Sequence, residues 1–191
     1  MFDQSIDSQL ANDRPNEVSS VHQAGGIPIP IRVLILEDRP EDAELMAHEL
    51  RRSWFDPACL RMETESEYLE ALKSPFDVIL ADYRMPQVNA PRALELLQGL
   101  GLDIPFIVVS GAMGEDAAVA MMRQGATDYL LKDRLRRLGP AVRAALSEKR
   151  MREEKRAAEQ ALIASEARFY SFMKNSPALA FIKALRWNNV A

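Results

Sequence analysis

The chain has 191 residues, a formal net charge of −4 and a single cysteine. This length suits one α/β domain with a smaller segment attached, and the mild acidity is not typical of a nucleic-acid-binding protein. The lone Cys59 excludes a disulfide framework and a cysteine-rich metal site, and it suits burial in a reducing compartment. No apolar run approaches the roughly 20 residues needed to span a bilayer, and the first residues do not resemble a secretory signal. We therefore expect a cytoplasmic protein with no membrane contact.

Residues 1–30 are polar at first and then rich in glycine and proline, which predicts a disordered leader that enters the first strand. From there, short apolar runs alternate with segments of helical spacing. The predicted strands are 31–36, 58–63, 76–82, 104–109 and 127–131, and the predicted helices are 40–52, 66–74, 91–100, 115–124 and a fifth from about 135.

This alternation predicts a parallel sheet with helices on both faces, connected by right-handed crossovers. We expect a flavodoxin-like, doubly wound, five-stranded parallel sheet of order 2-1-3-4-5 with an extended C-terminal helix. In that order the switch point, where ligands bind, lies between the first and third strands.

Acidic residues follow these two strands. Glu37 and Asp38 come directly after the first strand, and Asp82 ends the third. A carboxylate at the end of a buried strand is costly unless it has a partner or a use there. Three carboxylates without a nearby cysteine or histidine suit a hard cation, so the sequence predicts a Mg²⁺ site.

The fourth and fifth strands would bring two further groups to the same edge, the hydroxyl of Ser110 and the ammonium of Lys132. A carboxylate can attack phosphorus to form an acyl phosphate, and Asp82 is the best candidate for that nucleophile. Lys132 would pair with the phosphoryl group, and Ser110 could donate a hydrogen bond to it.

These strand-end motifs resemble the receiver domain of two-component response regulators, over residues 31–146. The matching segments are the acid pair at 37–38, the acceptor strand and Met-Pro at 80–86, the small-residue stretch at 110–112, and Gly-Ala-x-Asp-Tyr-x-x-Lys at 125–132. The resemblance implies phosphorylation of Asp82 by a histidine kinase or phosphotransfer protein. It also implies a Mg²⁺ ligand in the backbone carbonyl of Arg84, a switch hydroxyl at Ser110 and a switch aromatic at Tyr129.

Two positions depart from the receiver pattern. Asp133 follows Lys132 where many receivers have proline, and 89–90 reads Asn-Ala where many have a glycine. The first departure puts the rigid loop that often follows the lysine in doubt, and neither involves the acids.

Beyond the receiver-like region, residues 147–174 are predicted to form a linker helix with a coiled-coil seam. Its seam positions alternate by four and three residues: Met151, Lys155, Ala158, Leu162, Ser165, Phe169 and Phe172. We expect a homodimer through this helix. The alternative is a solitary charged helix held by ion pairs between residues i and i+4.

Residues 175–191 resemble the incomplete start of a PAS domain, so we expect the chain to be part of a longer protein or a truncated product. A complete PAS fold would need on the order of 100 residues.

The leading functional interpretation is a phosphoacceptor that is not itself an enzyme, because no kinase histidine motif or nucleotide-binding glycine loop is apparent. A phosphorylation-independent pseudo-receiver scaffold is one alternative. A haloacid-dehalogenase-type phosphatase is another, although Arg84 stands where its general acid would be. No basic face or helix-turn-helix unit predicts nucleic-acid binding.

Overall fold

The computed structural model describes residues 27–111 and 115–175. Most of the predicted leader, with His22, and most of the PAS-like segment lie outside these ranges, as does Ala112 of the small-residue stretch. No helix within the described ranges is both long and apolar enough to cross a membrane.

Five parallel strands form one sheet in the order β2-β1-β3-β4-β5, as predicted. The strands are β1 (Ile29–Leu36), β2 (Phe55–Met62), β3 (Val78–Asp82), β4 (Phe106–Ser110) and β5 (Asp128–Leu131). The helices are α1 (Pro40–Arg52), α2 (Glu65–Ala71), α3 (Ala90–Gly99), α4 (Glu115–Gln124) and α5 (Leu138–Asn175), with a 3₁₀ helix (Lys132–Arg137) between β5 and α5.

The sheet is buried on both faces, which explains why its central strands are continuous apolar runs. Every residue of β3 and β4 is buried. One face packs against α1 and α5, and the other packs against α2, α3 and α4. The doubly wound, flavodoxin-like fold is confirmed.

The start of α2 and α3 is set by side-chain caps. The hydroxyl of Thr64 accepts a hydrogen bond from the Glu67 amide, and the Glu67 carboxylate accepts one from the Thr64 amide. The side chain of Asn89 accepts a hydrogen bond from the Arg92 amide at 2.9 Å. Because these caps satisfy amides of the first turn, both helices begin one residue earlier than the sequence predicted.

Strand β2 begins earlier than predicted. The sequence predicted a strand from residue 58, but Asp56 and Pro57 also belong to it and pair with β1, with Pro57 opposite Ile31. An edge strand tolerates proline because one side of its backbone pairs with no other strand. The same pairing draws β1 back to Ile29, so the first strand begins inside the stretch predicted as a leader.

One prediction of burial is wrong. Cys59 was expected to be buried, but it is exposed on β2. The error arises because local spacing does not show which face of an edge strand its neighbours cover.

Helix α5 continues without a break from the domain into the predicted linker, over 38 residues. Its first turns bury Leu138, Val142 and Ala145 against the sheet, whereas every side chain from Met151 to Lys174 is exposed. The continuity of the helix was predicted, and most of its length has no partner within the described residues.

One acidic residue joins the exposed part of α5 to the domain. Asp103, in the loop between α3 and β4, accepts hydrogen bonds from Arg152 at 2.9 Å and from Arg156 at 3.0 Å. The Arg152 guanidinium lowers the pKa of Asp103, with help from Arg156. These ion pairs hold the first exposed turns of α5 against the α3–β4 loop.

Replacing Asp103 by alanine should free these turns without unfolding the domain. Because the pairs are partly exposed, we expect the free energy of unfolding to fall by less than about 1 kcal/mol. Hydrogen–deuterium exchange of the backbone amides at 148–160 should become faster. The control is Glu153→Ala, which removes only the pair with Lys149 inside the helix. Equal exchange in the two variants would contradict a role for Asp103 in holding α5.

Candidate functional site

Three carboxylates meet at the carboxyl ends of the central strands. Glu37 and Asp38 follow β1, Asp82 ends β3, and one oxygen from each lies within 4.8 Å of the others. The two strands end side by side because Leu36 pairs with Ala81 in the parallel register. Glu37 is completely buried, and the side chain of Asp82 is 12% exposed. The structure therefore brings together the three acids that the sequence selected.

Lys132 follows β5 and supplies positive charge to this cluster. Its ammonium lies 2.6 Å from a carboxylate oxygen of Glu37, 2.9 Å from one of Asp82 and 2.7 Å from one of Asp42. The side chain is only 18% exposed. The long side chain of Lys132 extends from the end of β5 past the end of β4. Its ammonium thereby reaches the carboxylates that follow β3 and β1.

The burial of the site changes the proton affinity of both partners. Burial raises the pKa of Glu37 to about 7, although the Lys132 ammonium opposes this effect. Burial also lowers the pKa of Lys132, but hydrogen bonds to Asp42, Glu37 and Asp82 outweigh it and leave that pKa above its usual value. The lysine therefore stays charged. Its positive charge lowers the energetic cost of placing carboxylates in a position shielded from water.

Sequence reasoning missed two residues of the site, Asp42 and Arg61. Asp42 was not among the predicted site residues, yet it contacts Lys132. Arg61, near the end of β2, donates hydrogen bonds to the backbone carbonyls of Glu37, at 3.0 Å, and of Asp38, at 3.4 Å. The one sequence signal for Asp42 was its position in the first turn of a helix, four residues after Asp38. No local pattern indicated that Arg61 belongs to the site.

Ser110 and Tyr129 lie on β4 and β5, next to the cluster in the sheet. Ser110 is buried at the end of β4 and pairs with Leu131. The phenolic oxygen of Tyr129 is buried without a hydrogen-bond partner in the described part of the chain. Burial raises the pKa of Tyr129, and the nearby Ser110 hydroxyl opposes this without completing a hydrogen bond. Neither side chain has a described contact with Asp82.

Arg84 lies in the loop after β3, and its backbone amide is 3.3 Å from a carboxylate oxygen of Asp82. The predicted role of its carbonyl as a metal ligand stays a prediction. A cleft of about 400 Å³ opens beside this loop, lined by Asp38, Asn89, Pro91 and residues 83–86. Of the three carboxylate residues, Asp38 lines this cleft.

The donor set fits a hard divalent cation. Carboxylate oxygens of Glu37, Asp38 and Asp82 converge, and Asp38 forms no ion pair within the described residues. A buried cluster with more negative than positive charge is stabilised by a bound cation. These residues could therefore hold Mg²⁺, with oxygen ligands alone.

Comparison with known proteins agrees with this geometry. Residues 33–143 match the sequence profile of the response regulator receiver domain. The two-component response regulator ORR21 of Oryza sativa is 30% identical over 118 residues, which is 60% of this chain and 17% of that protein. Two-component response regulator ORR24 of the same species is 34% identical over 107 residues, 55% of this chain and 17% of that protein. The chain thus spans less than a fifth of the length of these relatives.

Solved structures show the same fold. Full-length FixJ from B. japonicum superposes with a TM-score of 0.59 at 20% identity, over 70% of this chain and 66% of that one. A response regulator receiver domain protein from Clostridium thermocellum gives a TM-score of 0.57 at 21% identity, over 63% of this chain and 98% of that one. Since the profile match covers more than half of the sequence, the chain belongs to the response regulator receiver domain family.

Proposed function

We propose that this chain is the phosphoacceptor module of a two-component phosphorelay and that Asp82 receives the phosphoryl group. The donor would be the phosphohistidine of a histidine kinase or a phosphotransfer protein. The observation that supports this most is the convergence of Glu37, Asp38 and Asp82 beside the Lys132 ammonium at one edge of the sheet.

Asp82 suits the accepting role better than its neighbours. Glu37 is completely buried, so a donor cannot reach it, whereas the side chain of Asp82 is 12% exposed. The residues that follow Asp82 also line the cleft through which a donor would enter. One carboxylate oxygen of Asp82 contacts Lys132 and the other accepts a hydrogen bond from the Arg84 amide, so the group is held in one orientation.

In the transfer, a carboxylate oxygen of Asp82 forms a bond to phosphorus while the bond from phosphorus to the imidazole nitrogen breaks. The imidazole keeps the electron pair, and Asp82 becomes an acyl phosphate. Lys132 is placed to pair with the phosphoryl oxygens. Glu37, Asp38, Asp82 and the backbone carbonyl of Arg84 would hold Mg²⁺, which when bound neutralises negative charge on the phosphoryl group. Positioning and charge neutralisation are the main requirements of phosphoryl transfer.

We assign the response to phosphorylation to Ser110 and Tyr129. The Ser110 hydroxyl lies at the end of β4, next to β3, where it would donate a hydrogen bond to a phosphoryl oxygen on Asp82. The buried phenol of Tyr129 completes no hydrogen bond within the described ranges, so only the nearby Ser110 hydroxyl is placed to hold its resting position. A shift of both side chains would alter the surface of α4, β5 and α5.

Helix α5 would carry this change to a second copy of the chain. Its seam residues Leu162, Phe169 and Phe172 are each at least 60% exposed. Exposed apolar side chains at heptad spacing are buried when two such helices pair. The association would lie between the receiver and the PAS-like segment predicted at 175–191, and so could relay the state of Asp82 along the chain.

The acceptor assignment predicts a mass increase of one phosphoryl group after incubation with acetyl phosphate and Mg²⁺, measured on the intact protein. Asp82→Asn should abolish the increase, because an amide cannot form the acyl phosphate. Asp56→Asn, an equivalent change at an exposed position of β2, should retain it. A phosphoryl group on the Asp82→Asn variant would contradict the assignment. No increase in the unaltered chain would instead favour a pseudo-receiver scaffold.

The metal assignment predicts that Asp38→Asn stabilises the protein when no divalent cation is present. Asp38 is close to two other carboxylates and has no described ion pair, so removing its charge should raise the free energy of unfolding by on the order of 1 kcal/mol. Saturating Mg²⁺ should stabilise the unaltered chain more than the variant and cancel or reverse the difference. Urea unfolding with and without Mg²⁺ measures both effects.

The control for this experiment is again Asp56→Asn, which should change neither stability nor the response to Mg²⁺. Equal stabilisation of Asp38→Asn and the unaltered chain by Mg²⁺ would show that Asp38 is not a metal ligand.

The dimer assignment predicts that Leu162→Asp with Phe169→Asp produces a monomer, because charge at two seam positions prevents their burial. The control is Gln160→Asp with Ala167→Asp, which places the same charges on the opposite side of the helix and should leave the dimer intact. Sedimentation velocity distinguishes the two states. If the unaltered chain is monomeric both in the absence and in the presence of beryllofluoride, α5 is a solitary helix.

A further inference from the structure

Every proton of the Lys132 ammonium is already in use. An ammonium has three N–H donors, and Lys132 directs them to Glu37, Asp42 and Asp82 at 2.6, 2.7 and 2.9 Å. A phosphoryl group on Asp82 therefore arrives at a lysine with no donor free. One carboxylate must give up its hydrogen bond, or share it, before Lys132 can pair with phosphoryl oxygen.

The three carboxylates differ in how easily each can give up its hydrogen bond from Lys132. Glu37 is completely buried, and an unpaired carboxylate there would have neither water nor another described cation beside it. Asp82 carries the phosphoryl group and stays at the centre of the site. Asp42 is the most exposed of the three, with 20% of its side chain accessible to solvent.

Asp42 also has a second cation available. The guanidinium of Arg39 lies 3.7 Å from the same carboxylate oxygen that contacts Lys132, and the Arg39 side chain is 65% exposed and free to follow it. Asp42 is not one of the three acids that converge as a metal cluster, and its described ion pairs are only those with Lys132 and Arg39. Its influence on the acceptor site thus passes through the lysine.

From these contacts we infer that Asp42 is a positioning residue that competes with the phosphoryl group for Lys132. In the unphosphorylated protein, Asp42 holds the Lys132 ammonium beside Glu37 and Asp82. When Asp82 is phosphorylated, Asp42 releases its hydrogen bond to the ammonium and turns toward Arg39 and solvent. This inference rests on the proposed phosphorylation of Asp82, and it makes Asp42 a determinant of how tightly the site holds a phosphoryl group.

The test measures beryllofluoride binding, as a stable mimic of the phosphoryl group, at saturating Mg²⁺. Asp42→Asn removes the competing charge, so the dissociation constant should fall about tenfold, the size of effect that a neighbouring charge has on ionisation equilibria in proteins. Acetyl phosphate should also phosphorylate this variant faster. Asp42→Glu keeps the charge and should restore binding close to that of the unaltered chain.

Glu41→Gln is the matched control, because Glu41 is exposed in the same first turn of α1 and has no ion pair in the described part of the chain. It removes an equal charge from the same helix end without touching Lys132, and it should leave the dissociation constant unchanged. An equal gain in Glu41→Gln would overturn the inference, since the effect would then be one of net charge alone.

Two other outcomes are distinguishable. If the unaltered chain binds beryllofluoride but Asp42→Asn binds it equally or more weakly, the inference about Asp42 is wrong and the proposed function stands. If the unaltered chain neither binds beryllofluoride nor gains mass with acetyl phosphate, the proposed function fails, and the role of Asp42 fails with it.

Discussion

The structure depends most on one ammonium, that of the half-buried Lys132. Glu37 has no access to solvent, and an unpaired carboxylate in that position would destabilise the fold by several kcal/mol. Lys132 offsets part of this penalty with a hydrogen bond of 2.6 Å across 95 positions of the chain. Because the same ammonium also contacts Asp42 and Asp82, the folding of β1, β3, α1 and β5 is linked to the geometry of the carboxylate cluster.

The parallel register makes that contact possible. Leu36 pairs with Ala81, Asp82 with Val109 and Ser110 with Leu131, so the polar ends of four strands lie along one edge. A slip of one residue would move every side chain of a strand to the opposite face of the sheet. The apolar residues buried on both faces prevent such a slip, and in this way the packing of the core holds the polar site in place.

Helix α5 has two parts with different physical environments. Its first turns are buried against the sheet, while the part after Met151 is exposed and stabilised locally by ion pairs such as Lys155–Glu159. Asp103 bridges these environments by holding Arg152 and Arg156. A movement of the α3–β4 loop would therefore displace the first exposed turns of α5, and a movement of those turns would displace the loop.

Much of this protein was determined by local sequence. The apolar runs of β1, β3 and β4, the helical spacing of α1 and α4, and the acids at strand ends are each visible within a few residues of the chain. Together they predicted a parallel sheet, and under the flavodoxin-like strand order they predicted that Glu37, Asp38, Asp82, Ser110 and Lys132 would gather at one edge. These predictions succeeded because periodicity and strand-end position are local properties that a parallel sheet converts directly into spatial proximity.

The tertiary structure decided what depends on the rotation and coverage of elements. It placed Asp42 on Lys132, 90 positions away, because the packing of α1 against the sheet sets which side of its first turn faces β5. It also directed Arg61 to the backbone after β1, extended β2 through Pro57, and left Cys59 exposed at the sheet edge. Each of these results requires knowing which neighbour covers which face. That information lies in contacts between distant segments, and no pattern within a single segment contains it.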